Sequence, residues 1–164
     1  MTSKKILQHL DTLNLSYEII PHPPIHSADE PDTICEAHNL PRQKSLVLRN
    51  KKKTKFWMFT VLGGQKTDLK AIGDLVGDRV SFAKPEQLHE LLNVTPGSCS
   101  PFGLLYDTDH QVEFWLQKEL LESEFQGFHP NDNTMTVKMK TEDFQKFIVS
   151  TNREVKIVEF PLNT

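Results

Sequence analysis

Cysteine and long apolar runs are scarce in this sequence, and each scarcity excludes a class of protein. The 164 residues include only two cysteines, Cys35 and Cys99, which are too few for a disulfide scaffold and do not form a C-x-x-C pair. No segment reaches the roughly 18 apolar residues that span a bilayer, and the N-terminus lacks the apolar stretch of a secretory signal. We therefore expect a cytoplasmic protein that folds as a single domain over residues 1–164.

Neither the glycines nor the histidines have the spacing of a known nucleotide-binding loop or metal site. The adjacent Gly63 and Gly64 do not belong to a nucleotide-binding loop pattern. His22 and His26 have the spacing of metal ligands on a helix, but a Pro-Pro pair between them excludes a helix there. We expect neither a metal ion nor another cofactor.

The net charge of −3 is unevenly distributed along the chain. Seven basic residues and no acidic residue occur between Arg42 and Lys55, so the rest of the chain has 12 basic and 22 acidic residues and a net charge of −10. The net charge argues weakly against a dedicated nucleic-acid binder, whereas a basic segment is what binding of a phosphate-rich ligand needs. The alternative is that lysines at a hairpin tip only keep a sheet edge soluble.

Apolar periodicity predicts an α+β fold, with about seven strands and five short helices around a strongly curved mixed sheet. Ser45–Leu48 and Phe56–Leu62 are predicted to form a hairpin with Asn50–Lys53 at its tip. Further strands are predicted at Leu104–Tyr106 and Val155–Phe160. Capping patterns predict helices that begin at Ser27 or Thr33, at Thr67 and at Thr141.

Two loops carry the candidate chemistry. In Gly97-Ser-Cys-Ser-Pro101, glycine and proline allow successive N–H groups to converge on an anion or oxyanion, and the alternative is a connector without a ligand. Cys99 in this loop has no nearby histidine to lower its pKa, so we expect an ordinary loop residue rather than a nucleophile. His129 precedes a turn at Asn131–Asn133 and is either a site residue or a hydrogen-bonding turn residue.

Taken in order, these segments resemble the YbaK/ProX family, the free-standing relatives of the editing domain inserted in bacterial prolyl-tRNA synthetases. The matching segments are Pro21–Ser27, Leu40–Arg49, Asp68–Ala83 with Pro85–Glu86, Thr95–Gly103 and Phe128–Thr134. The motifs Pro96–Gly103 and Phe128–Pro130 resemble the ProX branch, which removes alanine from mischarged proline tRNA, more than YbaK proper, which acts on cysteinyl-tRNA.

The resemblance implies a YbaK-like fold and a trans-editing aminoacyl-tRNA deacylase, in which water attacks the ester that joins an amino acid to the terminal ribose. It assigns catalytic roles to Lys44, which would anchor the terminal adenosine, to Gly97, whose loop would hold the oxyanion, and to His129 near the substrate. Substrate contacts are expected at Ser45, Ser98, Cys99, Ser100, Pro101, Phe102, Gly103, His22 and Asn133, and tRNA contacts at Arg42, Arg49, Lys51, Lys52 and Lys53. The implied partners are the acceptor end of tRNA(Pro) and a prolyl-tRNA synthetase.

Ser45 departs from the family pattern, because many ProX-like sequences have Asn after the lysine. Loss of that amide could weaken binding or change the amino acid accepted, so deacylation of tRNA charged with Cys, Ser or Thr stays open. A second hypothesis is a non-catalytic module that binds the tRNA end or a synthetase. A third, a metal- or thiol-dependent hydrolase, predicts loss of activity with chelators or on Cys99→Ala.

Overall fold

The computed structural model describes residues 2–24, 33–64, 66–95 and 98–159, and this part of the chain contains five α-helices and eight strands. The helices are α1 (Thr2–Thr12), α2 (Thr33–His38), α3 (Leu69–Val76), α4 (Pro85–Leu92) and α5 (Thr141–Ser150). The strands are β1 (Tyr17–Pro21), β2 (Gln43–Asn50), β3 (Phe56–Leu62), β4 (Val80–Phe82), β5 (Val112–Gln117), β6 (Phe125–Phe128), β7 (Met135–Lys140) and β8 (Lys156–Val158). The α+β class is confirmed.

The strands form two sheets rather than the one curved sheet that was expected. The larger sheet has the order β4-β2-β3-β5-β8, with β2 antiparallel to β3 and β4 and with β5 parallel to β3 and β8. The smaller sheet has the order β1-β7-β6 and is antiparallel throughout. The β2–β3 hairpin is therefore confirmed, and the smaller sheet joins the N-terminal strand to strands late in the chain.

β3 is apolar along almost its whole length because both of its faces are buried. Phe56 and Met58 belong to the main core, which also contains residues of α1, α4 and α5. Trp57, Phe59 and Val61 point to the other face, where they pack in a second cluster with Ile72 of α3. The larger sheet is thus covered on both sides and holds β2 in a fixed position.

The predicted strand Leu104–Tyr106 is wrong, because these residues end a 3₁₀ helix that spans Pro101–Tyr106. Ser100 caps this helix, since its hydroxyl oxygen accepts a hydrogen bond from the N–H of Phe102 at 3.2 Å. Pro101 suits the first position of a helical turn, where no N–H is needed. The apolar run that resembles a strand is therefore part of a 3₁₀ helix.

Two predicted caps also differ from the structure. Asp68 rather than Thr67 caps α3, because its carboxylate accepts a hydrogen bond from the N–H of Ala71 at 3.0 Å. Thr141 is the first residue of α5, and its hydroxyl donates to the carbonyl of Ser123 instead of capping the helix. At α3 the adjacent short polar side chains of Thr67 and Asp68 compete for the capping position, whereas at α5 the Thr141 hydroxyl is used by a tertiary contact.

The remaining differences are one missed strand and the ends of two elements. β6 was not predicted. β8 covers only the middle of the expected strand Val155–Phe160, of which Phe160 lies outside the described residues. The helix start at Thr33 is confirmed, whereas the alternative start at Ser27 lies outside the described ranges. None of the helices in those ranges has the length and apolar character needed to cross a bilayer.

Candidate active site

Three consecutive residues at the start of β7 hold the two histidines that the sequence singles out. The carbonyl of Thr134 accepts a hydrogen bond from the backbone N–H of His22 at 2.9 Å. The carbonyl of Met135 lies 3.0 Å from Nδ1 of His129, and the hydroxyl of Thr136 lies 2.8 Å from Nε2 of His22. β7 is the central strand of the smaller sheet, so the ends of β1 and β6 meet beside it.

The hydrogen-bond partners assign the tautomer of each ring. A carbonyl oxygen can only accept, so Nδ1 of His129 carries the proton that is donated to Met135. Nδ1 of His22 likewise donates to the carbonyl of Pro23 at 2.9 Å, which leaves Nε2 of His22 to accept from Thr136. In the neutral state the lone pair of His129 is therefore on Nε2, the nitrogen that can accept a proton or a hydrogen bond.

Asp132 places a negative charge near the two histidines. Its carboxylate accepts hydrogen bonds from the N–H of Thr134 at 2.8 Å and from the hydroxyl of Thr134 at 2.5 Å. These two bonds, with a smaller contribution from the charges of His129 and His22, hold the pKa of Asp132 below its ordinary value. Sequence reasoning selected Asn133 in this turn and missed Asp132, although the Asn131–Asn133 run marks a turn that can accept backbone hydrogen bonds.

Ser100 connects the loop after α4 to the strand end that carries His129. Its hydroxyl donates to the carbonyl of His129 and accepts from the N–H of Phe102. A second link is made by Asn131, whose side-chain amide donates to the carbonyl of Leu92 at 3.0 Å. The loop and the histidine turn are therefore held together as one unit.

The predicted loop residues differ in how far they reach the surface. Gly97 lies outside the described residues, whereas Ser98, Ser100 and Pro101 are buried. Phe102 is fully buried, with its ring edge-on to those of Phe128 and Phe147, so it supports the loop from the core side. Gly103 allows the close approach of α4, since a Cβ there would lie only 3.0 Å from Cβ of Leu92.

Cys99 is half-buried and packs against the main core. Burial raises the pKa of its thiol to about 12, so the nucleophilic thiolate is scarcely populated at neutral pH. This environment argues against the thiol-hydrolase hypothesis. In the described ranges, no three His, Cys, Asp or Glu side chains are grouped closely enough to hold a metal ion.

Lys44 and Ser45 are the second and third residues of β2 and lie on opposite faces of the strand. Ser45 is opposite Thr60, and the two hydroxyl oxygens are 2.9 Å apart, whereas Lys44 is opposite Val61 and shares its face. The neighbouring side-chain amide of Gln43 donates to the carbonyl of Gly127 at 3.0 Å. The start of β2 is thus joined to β6, two residues before His129.

The basic segment divides into two groups at opposite ends of β2. Arg42 and Lys44 lie at the start of the strand, on either side of Gln43, which contacts β6; Lys44 is on the face of Val61, opposite to that contact. Arg49 is near the end of the strand, and the exposed Lys51, Lys52 and Lys53 form the hairpin tip. At about 3.3 Å per residue, Lys44 and the tip are about 20 Å apart. The seven basic residues therefore do not form one continuous platform beside Lys44.

A family model for the aminoacyl-tRNA editing domain matches residues 22–147. The chain is 33% identical over 155 residues to the prolyl-tRNA editing protein ProX of Acetoanaerobium sticklandii, with 94% of each chain covered. It is 30% identical over 158 residues to prolyl-tRNA synthetase associated domain-containing protein 1 of Mus musculus, with 93% of each chain covered. A crystal structure described as a candidate trans-editing enzyme for prolyl-tRNA synthetase has a TM-score of 0.72, covers 100% of this chain and 98% of that one, and is 20% identical. The motif resemblance is confirmed, and the chain belongs to the aminoacyl-tRNA editing domain family.

Proposed function

We propose that this protein is a trans-editing deacylase that hydrolyses the ester of mischarged tRNA(Pro), with alanine as the amino acid removed. The observation that carries the proposal is the histidine pair at the start of β7, held against the Ser98–Pro101 loop in a chain that resembles a prolyl-tRNA editing protein over 94% of its length. A histidine with a defined tautomer beside a turn rich in backbone N–H groups suits acyl transfer to water.

His129 would accept a hydrogen bond at Nε2 from the attacking water or from a ribose hydroxyl once the substrate is bound, and the bond from its Nδ1–H to the carbonyl of Met135 would orient the ring. The water oxygen forms a bond to the ester carbon, and the bond from that carbon to the ribose oxygen breaks. The ribose oxygen takes up a proton as it leaves. An imidazole suits both proton steps because its ordinary pKa lies near neutral pH.

The loop would stabilise the oxyanion that forms during attack. The N–H of Ser98 already donates to the carbonyl of Thr95 at 3.0 Å, and Pro101 has no N–H. We therefore assign the oxyanion donors to the N–H groups of Gly97, Cys99 and Ser100, with Gly97 assigned from the family motif. Such donors gain strength where water is excluded, as expected around buried Ser98 and Ser100.

Lys44 would bind the phosphate or ribose oxygens of the terminal adenosine as a point charge. Ser45 stays a proposed substrate contact, but it would have to release Thr60, to which its hydroxyl is bonded. Because Lys44 occupies the other face of the strand, the serine leaves the lysine in place, and its effect would be on binding or on the amino acid accepted. His22 and Asn133 are proposed to line the same side of the site as His129.

Selection of alanine over proline would depend on pocket size. One methylene group is worth only about 1–3 kcal/mol of discrimination, so the larger proline ring must be excluded sterically. The name of the mouse relative supports a prolyl-tRNA synthetase as partner, and we propose such a partner here. Editing would take place where tRNA is charged, in keeping with the cytoplasmic location expected from the sequence.

The decisive test is deacylation of tRNA(Pro) charged with Ala, Cys, Ser or Thr. We expect fastest hydrolysis of the alanyl ester, and loss of most activity in Lys44→Ala with an unchanged circular dichroism spectrum. Lys70→Ala is the matched control, because Lys70 is an exposed lysine of α3. If all four esters stay intact while the tRNA binds, the protein is a non-catalytic module.

A further inference from the structure

The tip of the β2–β3 hairpin is a compact group of positive charges. Lys51, Lys52, Lys53 and Lys55 are all exposed, and the whole segment from Arg42 to Lys55 contains no acidic residue. Beside it lies a cavity of about 570 Å³ whose lining includes Lys55 and the ion pair of Glu113 with Lys156, 2.6 Å apart. Glu113 is therefore already paired, and the other acidic residue of the lining is the single exposed Glu154.

The tip is held in one conformation by a buried side chain. Asn50 is 5% exposed, and its side-chain oxygen accepts hydrogen bonds from the N–H of Thr54 at 2.8 Å and of Lys55 at 3.1 Å. Its side-chain nitrogen donates to the hydroxyl of Thr54 at 2.9 Å. A loop that only needs to be soluble does not require such internal bonding, whereas a preorganised loop loses less entropy when it binds.

Lys53 has a left-handed backbone with φ of 58°, a conformation that is unfavourable for a residue with a side chain relative to glycine. Its N–H donates to the carbonyl of Asn50 at 3.1 Å, which closes the turn. Glycine or asparagine is the usual residue at such a position. A lysine there places a charge on the tip at a conformational cost, so an observed outlier points to a function for that charge.

The distance between Lys44 and the tip is an argument for a duplex partner. The tip is about 20 Å from Lys44 along β2, which corresponds to about six nucleotides of a stacked strand at 3.4 Å each. That exceeds the few unpaired nucleotides at the 3′ end of a tRNA. We propose that the lysine tip binds the sugar-phosphate backbone of the acceptor-stem duplex while Lys44 holds the 3′ terminus, an inference that rests on the proposed function. The tip would thus favour esters on a full tRNA over esters on a short single strand.

The test compares two alanine esters, one on full-length tRNA(Pro) and one on the 3′-terminal trinucleotide CCA. In the triple variant Lys51→Ala, Lys52→Ala, Lys53→Ala, we expect KM for the tRNA to rise about tenfold with unchanged kcat. The dependence of tRNA affinity on salt should weaken by about one unit of slope for each phosphate that the variant no longer neutralises. KM for the trinucleotide should not change.

Two controls separate charge from fold. The triple variant Lys4→Ala, Lys70→Ala, Lys118→Ala removes the same charge from exposed positions elsewhere and should leave both KM values unchanged. Lys53→Gly relieves the backbone, so it should be at least as stable as the parent while binding tRNA more weakly. An unchanged KM for tRNA in the tip variant, or an equal rise for both esters, would overturn the proposal.

Failure of the tip proposal can be distinguished from failure of the proposed function. If the parent protein hydrolyses neither ester, the deacylase function is wrong, and binding of uncharged tRNA and of CCA measured by fluorescence anisotropy still tests the tip. Weaker binding of tRNA alone in the tip variant supports the duplex contact. Equal tRNA binding by parent and tip variant contradicts it.

Discussion

The imidazole rings of His22 and His129 lie with their centroids 5.5 Å apart and their planes inclined at 58°. They come from the ends of β1 and β6, the two strands that flank β7, and each is bonded to a residue at the start of β7. The carbonyl of Met135 accepts a hydrogen bond from the His129 ring, and the His22 ring packs beside that ring. The two histidines are therefore expected to contribute unequally, since only His129 is assigned to the reacting atoms.

Removal of the two rings tests this relationship. His129→Ala should lower kcat for alanyl-tRNA(Pro) by about 100-fold or more, as expected when a general base is lost. His22→Ala should lower kcat by about tenfold, because it acts through the position of His129. Single-turnover hydrolysis measures both effects.

His9→Ala is the control, since His9 contacts Ser150 in a different part of the fold. It should leave kcat unchanged. A His129→Ala variant that keeps full activity would contradict the assignment of this residue.

Asp132→Asn should make stability respond differently to pH. The pKa of Asp132 is depressed in the folded state, so its ionised form contributes stability above its unfolded pKa, near 3.8, and loses it as pH falls through the lower folded value. The asparagine variant should therefore unfold more easily than the parent at pH 7, and the difference should shrink below about pH 3.8. Urea unfolding at several pH values measures this. A difference that is constant with pH would show that the ionised carboxylate is not responsible.

Arg153 is expected to be among the most costly side chains to replace. Its guanidinium is buried, forms an ion pair with Asp107, and donates further hydrogen bonds to the carbonyls of Leu104, Asp107, Val112 and Thr151. Arg153→Met would leave the Asp107 carboxylate buried without its partner, so the free energy of unfolding should fall by about 3–5 kcal/mol.

Chemical denaturation measures the effect of Arg153→Met, and the double variant with Asp107→Leu provides the control. The second substitution removes the unpaired charge and should restore part of the stability. A decrease below about 1 kcal/mol in the single variant would mean that the ion pair contributes little net stability.

Much of the fold can be predicted from the sequence, because many helices, strands and turns are specified by the residues within them. The alternation in β5 and β7 and the Asn-Lys-rich tip between β2 and β3 each specify their own structure. Leu104–Tyr106 was misassigned because its helical form depends on Ser100 as a cap, and β6 was missed because Gln126 and Gly127 interrupt its apolar pattern.

The sequence suggests candidate site residues, but it does not show how they are arranged. His22 and His129 were both selected, yet their contact depends on the pairing of β1 and β6 with β7, which no local pattern reveals. Asp132 was missed because its role depends on the bonds it accepts from Thr134. The two groups of basic residues looked continuous in sequence because the length of β2 separates them only in space.

Cys99→Ala should leave deacylation within about twofold of the parent, because the thiol has a pKa of about 12 and is protonated at neutral pH. Iodoacetamide at pH 7 should label Cys99 slowly in the folded protein and quickly in urea. Mass spectrometry after digestion distinguishes this residue from Cys35, the second half-buried cysteine. Rapid inactivation that depends on modification of Cys99 would revive the thiol-hydrolase hypothesis.

The bond between His22 and Thr136 joins residues that are 114 positions apart. During synthesis, His22 emerges from the ribosome long before Thr136 exists, so this contact cannot form on an early nascent chain. The two histidines can therefore come together only after β7 has been synthesised and has paired with β1 and β6. The candidate site is thus completed late, by the C-terminal half of the chain.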